Sequence, residues 1–183
     1  MTRKRAVAQA WIERTTEDPE AASAWTVARA HLGAGRALAS LRRLRLFELA
    51  GLLPARGTLE KLLHRSIQFY NPIQERCTLR AATADPLPLS PDERAVLVFE
   101  RGEERRGGAE RWWRHETGKE IEVREGVAWL MTFEGQGAGV GKVMNELVDL
   151  RDRRHGLLCN PHAQEMRTAD GGIPLPWFTE AES

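Results

Sequence analysis

Two segments in the middle of the chain are almost wholly apolar, and a third alternates apolar with charged residues. The runs AVLVF (95–99) and VAWLMTF (127–133) predict central strands buried on both faces. In KEIEVRE (119–125) the alternation predicts a strand with one wet face, and IQFYNPIQERCTLR (67–80) and ERWWRHE (110–116) are also rich in β-forming residues. The dipeptides Thr117-Gly118 and Glu125-Gly126 separate the later segments, so residues 66–133 predict a mainly antiparallel meander.

The N-terminal third has the pattern of helices. Residues 3–14 are rich in alanine without Gly or Pro, and Asp18-Pro19 is a suitable N-cap and first turn for a helix that runs to about His31. Leucines at 38–52 share one side of a third segment, with arginines on the other. We therefore predict a single α+β domain, 1–183, in which a helical layer (1–65) covers the sheet-containing part (66–183) with its helix at 142–155.

A weak internal repeat suggests a duplication. The pattern LEKLLHRSIQFYNP returns as LVDLRDRRHGLLCNP, and the tripeptide Pro-Leu-Pro follows each Asn-Pro, at 86–88 and at 174–176. This helix-plus-strand duplication resembles ferredoxin-like topology in pattern, and such folds serve many functions. Asn-Pro is ordinary turn chemistry, with a functional role for the asparagines as the alternative. We expect the two Asn-Pro strands to lie in one sheet.

Charge and cysteine content narrow the class of protein. Lys plus Arg number 27 against 26 for Asp plus Glu, so any basic surface is local. The two isolated cysteines, Cys77 and Cys159, exclude a disulfide scaffold and favour a reducing cytoplasm. Gln9, Glu13 and Arg14 interrupt the apolar core that a signal peptide needs, and no apolar run approaches the roughly 20 residues that cross a bilayer, so we expect no membrane association.

One candidate binding site is a cluster of arginines beside paired tryptophans in a predicted hairpin. Cationic side chains next to exposed indoles can contact phosphates and stack on bases, or anchor a protein partner. Nearby glutamates dilute the charge, so a solvated loop, with the tryptophans buried under helices, is the alternative. The cluster comprises Arg105, Arg106, Arg111, Trp112, Trp113 and Arg114.

A second candidate is the glycine-rich loop 135–142, between a predicted strand and a helix. Gly137, Gly139, Gly141 and Lys142 could hold an anion at the start of that helix. The loop departs from the nucleotide-triphosphatase template at Gln136 and Val143, and from the dinucleotide template at Val140. The alternative is a flexible connection.

Metal and catalytic signatures are incomplete. His155, Cys159 and His162 lie within eight residues near Glu165, but Gly156 and Asn160-Pro161 break any helical face that would align them. His64 and His155 suit helix ends, and no Gly-x-Ser-x-Gly elbow occurs. We expect no metal, no cofactor and no catalytic residues.

These features favour a non-enzymatic binding or accessory protein that acts within a larger assembly, close to nucleic acid. Six tryptophans and the arginine-rich patches at 42–45 and 151–154 are typical of interfaces, so we expect a protein partner, with nucleic acid as a further one. The alternative is a small enzyme or sensor that binds a phosphorylated small molecule or nucleotide through 135–142.

Overall fold

Six antiparallel strands form one sheet in the computed structural model, which describes residues 5–135, 139–152, 155–169 and 172–179. The strand order is β3-β1-β2-β5-β4-β6. No helix in these ranges is long and apolar enough to cross a membrane. The elements are β1 (Ala6–Arg14), α1 (Pro19–His31), a 3-10 turn (Ala34–Ala37), β2 (Leu38–Gly51), α2 (Arg56–His64), β3 (Glu75–Arg80), β4 (Arg94–Glu100), α3 (Gly107–Thr117), β5 (Ile121–Phe133), α4 (Val140–Val148) and β6 (Gln164–Thr168).

The sheet consists of two equivalent halves. Each half runs strand-helix-strand-helix-strand, and its third strand pairs with its first: β3 with β1, and β6 with β4. The registers also match, since the end of β1 meets the start of β3 at Arg14↔Glu75 and the end of β4 meets the start of β6 at Glu100↔Gln164. The predicted mainly antiparallel α+β fold and the shared sheet of the two Asn-Pro strands are confirmed, while the ferredoxin-like pattern stays a prediction.

An approximate two-fold axis relates the halves and passes between β2 and β5. Matching β1 to β4 makes Ala8 equivalent to Arg94, so their sheet partners Leu49 and Met131 are equivalent as well. The same equivalence, extended along β2 and β5, matches Arg45 to Val127. These two residues are also direct partners in the pairing of β2 with β5. The axis therefore crosses the sheet at that pair.

Both Asn-Pro segments make the same turn. The Asn71 Oδ1 accepts the N–H of Ile73 at 3.1 Å, and the Asn160 Oδ1 accepts the N–H of His162 at 3.1 Å. In each turn the residue four positions later bonds back, since the Glu75 carboxylate accepts the N–H of Asn71 at 2.7 Å and the Gln164 side chain accepts that of Asn160 at 2.9 Å. The asparagines thus have the structural role of building a turn into an edge strand.

The predicted N-terminal helical layer is wrong in two of its segments, while α1 and α2 are helices as predicted. Residues 6–14 and 38–51 are strands, and Ala8 through Ile12 are all buried because β1 is covered on both faces. Ala8 and Ala10 lie beneath α2 and α3, where small side chains let the helices approach, while Trp11 lies on the opposite face. Helix α1 begins as predicted, with Asp18 accepting the N–H of Glu20 at 2.9 Å.

Three further boundaries need correction. The segment ERWWRHE lies in α3 and not in a hairpin, because its apolar side has helical spacing and carries the fully buried Trp113. β5 continues through Gly126, where a Cβ would lie 2.9 Å from both Leu97 Cδ1 and Val98 O, so this glycine permits close packing rather than a turn. The predicted 142–155 helix ends at Val148.

In the described ranges, helices α1 to α4 all cover one face of the sheet. Helices α2 and α3 lie over one end, and α1 and α4 over the other, as the two-fold axis requires. The opposite face is covered by the loop after β3, through Leu87 and Leu89, and by residues 172–179, which we call the C-terminal strap. Each covering segment contains one of the two Pro-Leu-Pro tripeptides.

A buried polar network anchors the C-terminal strap. The Glu48 carboxylate, 2% exposed, accepts the N–H of Trp177 at 2.7 Å and the side-chain amide of Gln9 at 3.2 Å. The Arg80 guanidinium donates to Gln9 Oε1 at 3.1 Å and to the carbonyl of Ile173 at 2.8 Å. Burial raises the pKa of the Glu48 carboxyl above its ordinary value, although these hydrogen bonds oppose the shift.

Replacing Glu48 should therefore loosen the strap. Glu48→Leu leaves the Trp177 N–H and the Gln9 amide without their acceptor, which should cost about 1–3 kcal/mol of unfolding free energy. Glu48→Gln keeps one acceptor oxygen and should cost less. Denaturant unfolding of the three proteins checks this, and equal losses for both variants would contradict the assigned role of the carboxylate oxygen.

The raised pKa of Glu48 predicts a pH dependence. The folded chain binds this proton more tightly than the unfolded chain, so the group favours folding at low pH, and that contribution is lost as pH rises through the raised pKa. Between about pH 4 and pH 7, the stability of the parent should fall relative to that of Glu48→Gln. Unfolding midpoints of both proteins at the two pH values measure this change. A difference in stability between the two proteins that is the same at both pH values would refute the prediction.

Candidate interaction surface

The connection between α2 and β3 displays two isoleucines to solvent. Ile67 and Ile73 are each 86% exposed, the largest exposures among the large apolar side chains of the described residues. Between them, Phe69 and Tyr70 turn inward and are buried. The connection thus has one side anchored in the core and another side that presents apolar surface.

Contacts on three sides hold this connection in place. The Phe69 ring lies 5.5 Å from that of Phe47 and 6.0 Å from that of Trp112, both edge-on. From beneath, Arg45 donates to the carbonyl of Phe69 at 2.9 Å and to the Glu75 carboxylate at 2.9 Å. The exposed isoleucines are therefore carried by a backbone that is fixed by the core and by an ion pair.

Helix α3 borders the same connection. Arg65 lies 3.4 Å from Glu116 on the helix, and Gln68 approaches α3 so closely that a Cβ at Gly108 would lie 3.0 Å from its Oε1. The segment predicted from its arginines and tryptophans is thus adjacent to the exposed isoleucines. We call residues 65–74 together with the exposed side of α3 the α3/loop surface.

The predicted arginine cluster is only partly available on this surface. Three of its four arginines have carboxylate partners: Arg105 with Glu110 at 2.6 Å, Arg106 with Glu125 at 2.8 Å and Arg114 with Glu120 at 3.1 Å. The hydrogen bond that Arg105 donates to the Glu110 carboxylate raises the pKa of Arg105. Arg111 is exposed and has no ion-pair partner among the described residues.

The two tryptophans of the cluster differ in environment. Trp113 is fully buried in the core beneath α2 and α3, and Trp112 is half-buried at its margin. The six predicted residues therefore do not converge on one point. Arg111 and Trp112 are the members that remain accessible, and Trp112 contacts Phe69 of the connection.

The glycine-rich loop is described only in part. Gly137 lies outside the described residues, while Gly139 is the N-cap of α4 and Gly141 lies in its first turn. A Cβ at Gly139 or Gly141 would meet nothing within 4 Å, and Lys142, largely exposed, lies 3.9 Å from Glu146. The anion-binding role of this loop stays a prediction.

Hydrogen bonds, a turn and burial account for the environments of His155, His162 and the two cysteines. His155 Nδ1 lies 3.0 Å from Asp152, His162 belongs to the Asn160 turn, and burial raises the pKa of Cys159. Burial also raises the pKa of Cys77 to about 12. Within the described ranges, no group of three His, Cys, Asp or Glu side chains could hold a metal ion.

The arginines of the patch on β2 form ion pairs with carboxylates of the chain. Arg42 bonds Glu93 at 2.8 Å, and Arg43 bonds Asp18 at 3.3 Å. In the second patch Arg151 lies 2.9 Å from Asp149, and positions 153 and 154 are outside the described residues. Neither patch presents a free basic surface in the part that can be described.

Sequence reasoning did not identify Ile67 and Ile73, because it assigned both to an extended segment rich in β-forming residues. The available signal was the Asn71-Pro72 dipeptide, since it favours a turn and turns lie at the protein surface. No protein-family model, curated protein or solved structure matches this chain. What the chain does is therefore inferred from its own surface.

Proposed function

We propose that this chain is a non-enzymatic binding or accessory protein that works within a larger assembly and docks on a protein partner through the α3/loop surface. The observation that carries the proposal is the pair of isoleucines, each 86% exposed, on a backbone fixed by buried Phe69 and Tyr70. A fixed backbone lowers the entropy lost on docking.

Energetics favour a partner at this position. Fully burying an isoleucine side chain contributes about 1.5–3 kcal/mol, so leaving two of them in water forgoes a substantial gain that docking would recover. Single exposed apolar residues are ordinary on protein surfaces. Here two lie within one short connection that contacts the half-buried Trp112 through Phe69, and α3 also carries the exposed Arg111; Trp and Arg are enriched at protein interfaces.

Charge favours protein over nucleic acid as the direct contact of this surface. Generic nucleic-acid binding depends on several cations that neutralise phosphates, whereas three arginines of α3 and its approach are already paired with glutamates. Proximity to nucleic acid would then come through the assembly. The alternative function is the binding of a phosphorylated small molecule through residues 135–142.

The docking proposal predicts a selective loss of partner binding. Tagged protein is expressed in the native host, and copurifying proteins are quantified by mass spectrometry. Replacing Ile67 and Ile73 together with Ser should reduce the yield of a specific partner by about tenfold or more, because two apolar contacts are removed. Unfolding stability should hardly change, because both side chains are solvated in the free chain.

Leu150→Ser is the matched control, since Leu150 is an exposed leucine (40%) in the other half of the chain. It should leave the partner bound. Equal recovery of the partner with the double-isoleucine variant would refute docking through this surface. Nucleic acid that is retained by the parent and lost on Arg65→Ala/Arg111→Ala would instead favour direct nucleic-acid contact, and thermal stabilisation by sugar phosphates would favour the alternative function.

A further inference from the structure

The first half of β2 has a strand neighbour on one side only. β2 pairs with β5 along its length, from Leu38↔Phe133 to Gly51↔Ile121. Its pairing with β1 stops at Ile12↔Arg45, because the end of β1 continues with β3 and the chain then turns into α1. Residues 38–44 therefore form an internal sheet edge that faces α1 and not another strand.

The two-fold axis identifies the backbone groups on that edge. Leu41 is equivalent to Val123 and Arg43 to Glu125, by the same register that matches Leu49 to Met131. In the second half these positions point their backbone groups away from β2, so the equivalent groups of Leu41 and Arg43 point away from β5. Among the described residues, no backbone or side-chain group bonds to them.

In the second half the equivalent edge is covered by the chain itself. The N–H of Arg106 donates to Val123 O at 2.8 Å, and the N–H of Glu125 donates to Glu104 O at 2.8 Å, so residues 104–106 form a short antiparallel strand opposite Arg124. The Glu110 carboxylate of α3 accepts the remaining N–H, that of Val123, at 2.9 Å.

In the first half the covering groups are missing. Ala22 is the fourth residue after the N-cap of α1, and Glu110 is the fourth after that of α3, so an alanine stands where the second half has its capping carboxylate. Likewise Trp25 and Trp113 are each seventh after their N-caps, yet Trp25 is 36% exposed and Trp113 fully buried. A groove of about 500 Å³ lies here, between Ala22, Trp25 and residues 39–43.

We propose that this groove, which we call the β2 edge groove, binds an extended segment of a partner protein that adds to β2 as an antiparallel strand. The segment repeats what residues 104–106 do in the second half: its N–H groups and carbonyls bond to Leu41 and Arg43. Strand addition of this kind takes its affinity from main-chain hydrogen bonds and its specificity from side-chain pockets.

One feature specifies the side chains of the segment. The ion pair of Arg43 with Asp18, at 3.3 Å, stands where Glu125 pairs with Arg106 in the second half, and it is kept when the segment binds. An apolar side chain of the segment covers the exposed face of Trp25. The site is independent of the α3/loop surface.

The probe is a set of random decapeptides displayed on phage and selected on the immobilised protein, with selected peptides then made as fluorescein conjugates. Fluorescence anisotropy should show that Ala22→Glu weakens their binding by about tenfold or more, because the new carboxylate takes the Leu41 N–H and fills the groove. Ser23→Glu adds the same charge one residue away, at an exposed position outside the groove, and should change affinity less than about twofold.

A second measurement uses the unaltered protein and so does not depend on the folding of a variant. N-methylation of the peptide backbone at successive residues should weaken binding at alternate positions, because only every second N–H of an added strand faces β2. The selected peptides should share an apolar residue at the position that covers Trp25.

Several results would overturn the proposal. These are peptides that bind Ala22→Glu as tightly as the parent, binding that no N-methyl group weakens, and a failure to select any peptide that distinguishes the two proteins. Loss of binding on the Ile67→Ser/Ile73→Ser change would move the site to the α3/loop surface. Self-association that Ala22→Glu abolishes would make a second copy of this chain the occupant.

Discussion

The pairing of β2 with β5 across the approximate two-fold axis is the constraint on which the rest of the structure depends. It joins two strand-helix-strand-helix-strand units into one sheet, and it places the helices as two pairs at opposite ends of one face. At the axis, Arg45 faces Val127 and reaches both Glu75 and Glu125, at 2.9 Å and 3.4 Å. The same guanidinium holds the carbonyl of Phe69, so the connection that exposes the isoleucines is tied to the centre of the sheet.

The two halves have kept their backbone plan and differ in side chains where they meet other segments. The network of Gln9, Glu48 and Arg80 binds the C-terminal strap, whereas the equivalent positions in the second half, Ala95, Leu130 and Ala169, are apolar. Buried polar groups are tolerated only when they are hydrogen-bonded, and the strap supplies carbonyls and an N–H for that purpose. At the sheet edges it is the second half that has the extra contacts. It covers its edge with residues 104–106, whereas the first half leaves the backbone groups of Leu41 and Arg43 open.

Sequence reasoning succeeded where burial on both faces or a repeated turn dominates the pattern, as in AVLVF, VAWLMTF and the Asn-Pro segments. It failed at residues 6–14 and 38–51, whose alanines, leucines and arginines favour helices locally but form central strands because the sheet buries them. It singled out the residues of α3 as a candidate site but placed them in a hairpin, and it did not foresee that Glu125, from a distant strand, pairs with Arg106. The open edge of β2 could not be predicted, because it depends on where β1 leaves β2 for β3.

Amide hydrogen exchange at four equivalent positions tests the central claim that a duplicated fold leaves one sheet edge free for a partner. The amides of Val123 and Glu125 are hydrogen-bonded to Glu110 and Glu104, so they should exchange slowly. Those of Leu41 and Arg43 should exchange faster by about tenfold or more in the isolated chain, because no described group bonds to them. Equal protection at all four amides would show that the β2 edge is already occupied and would contradict the account.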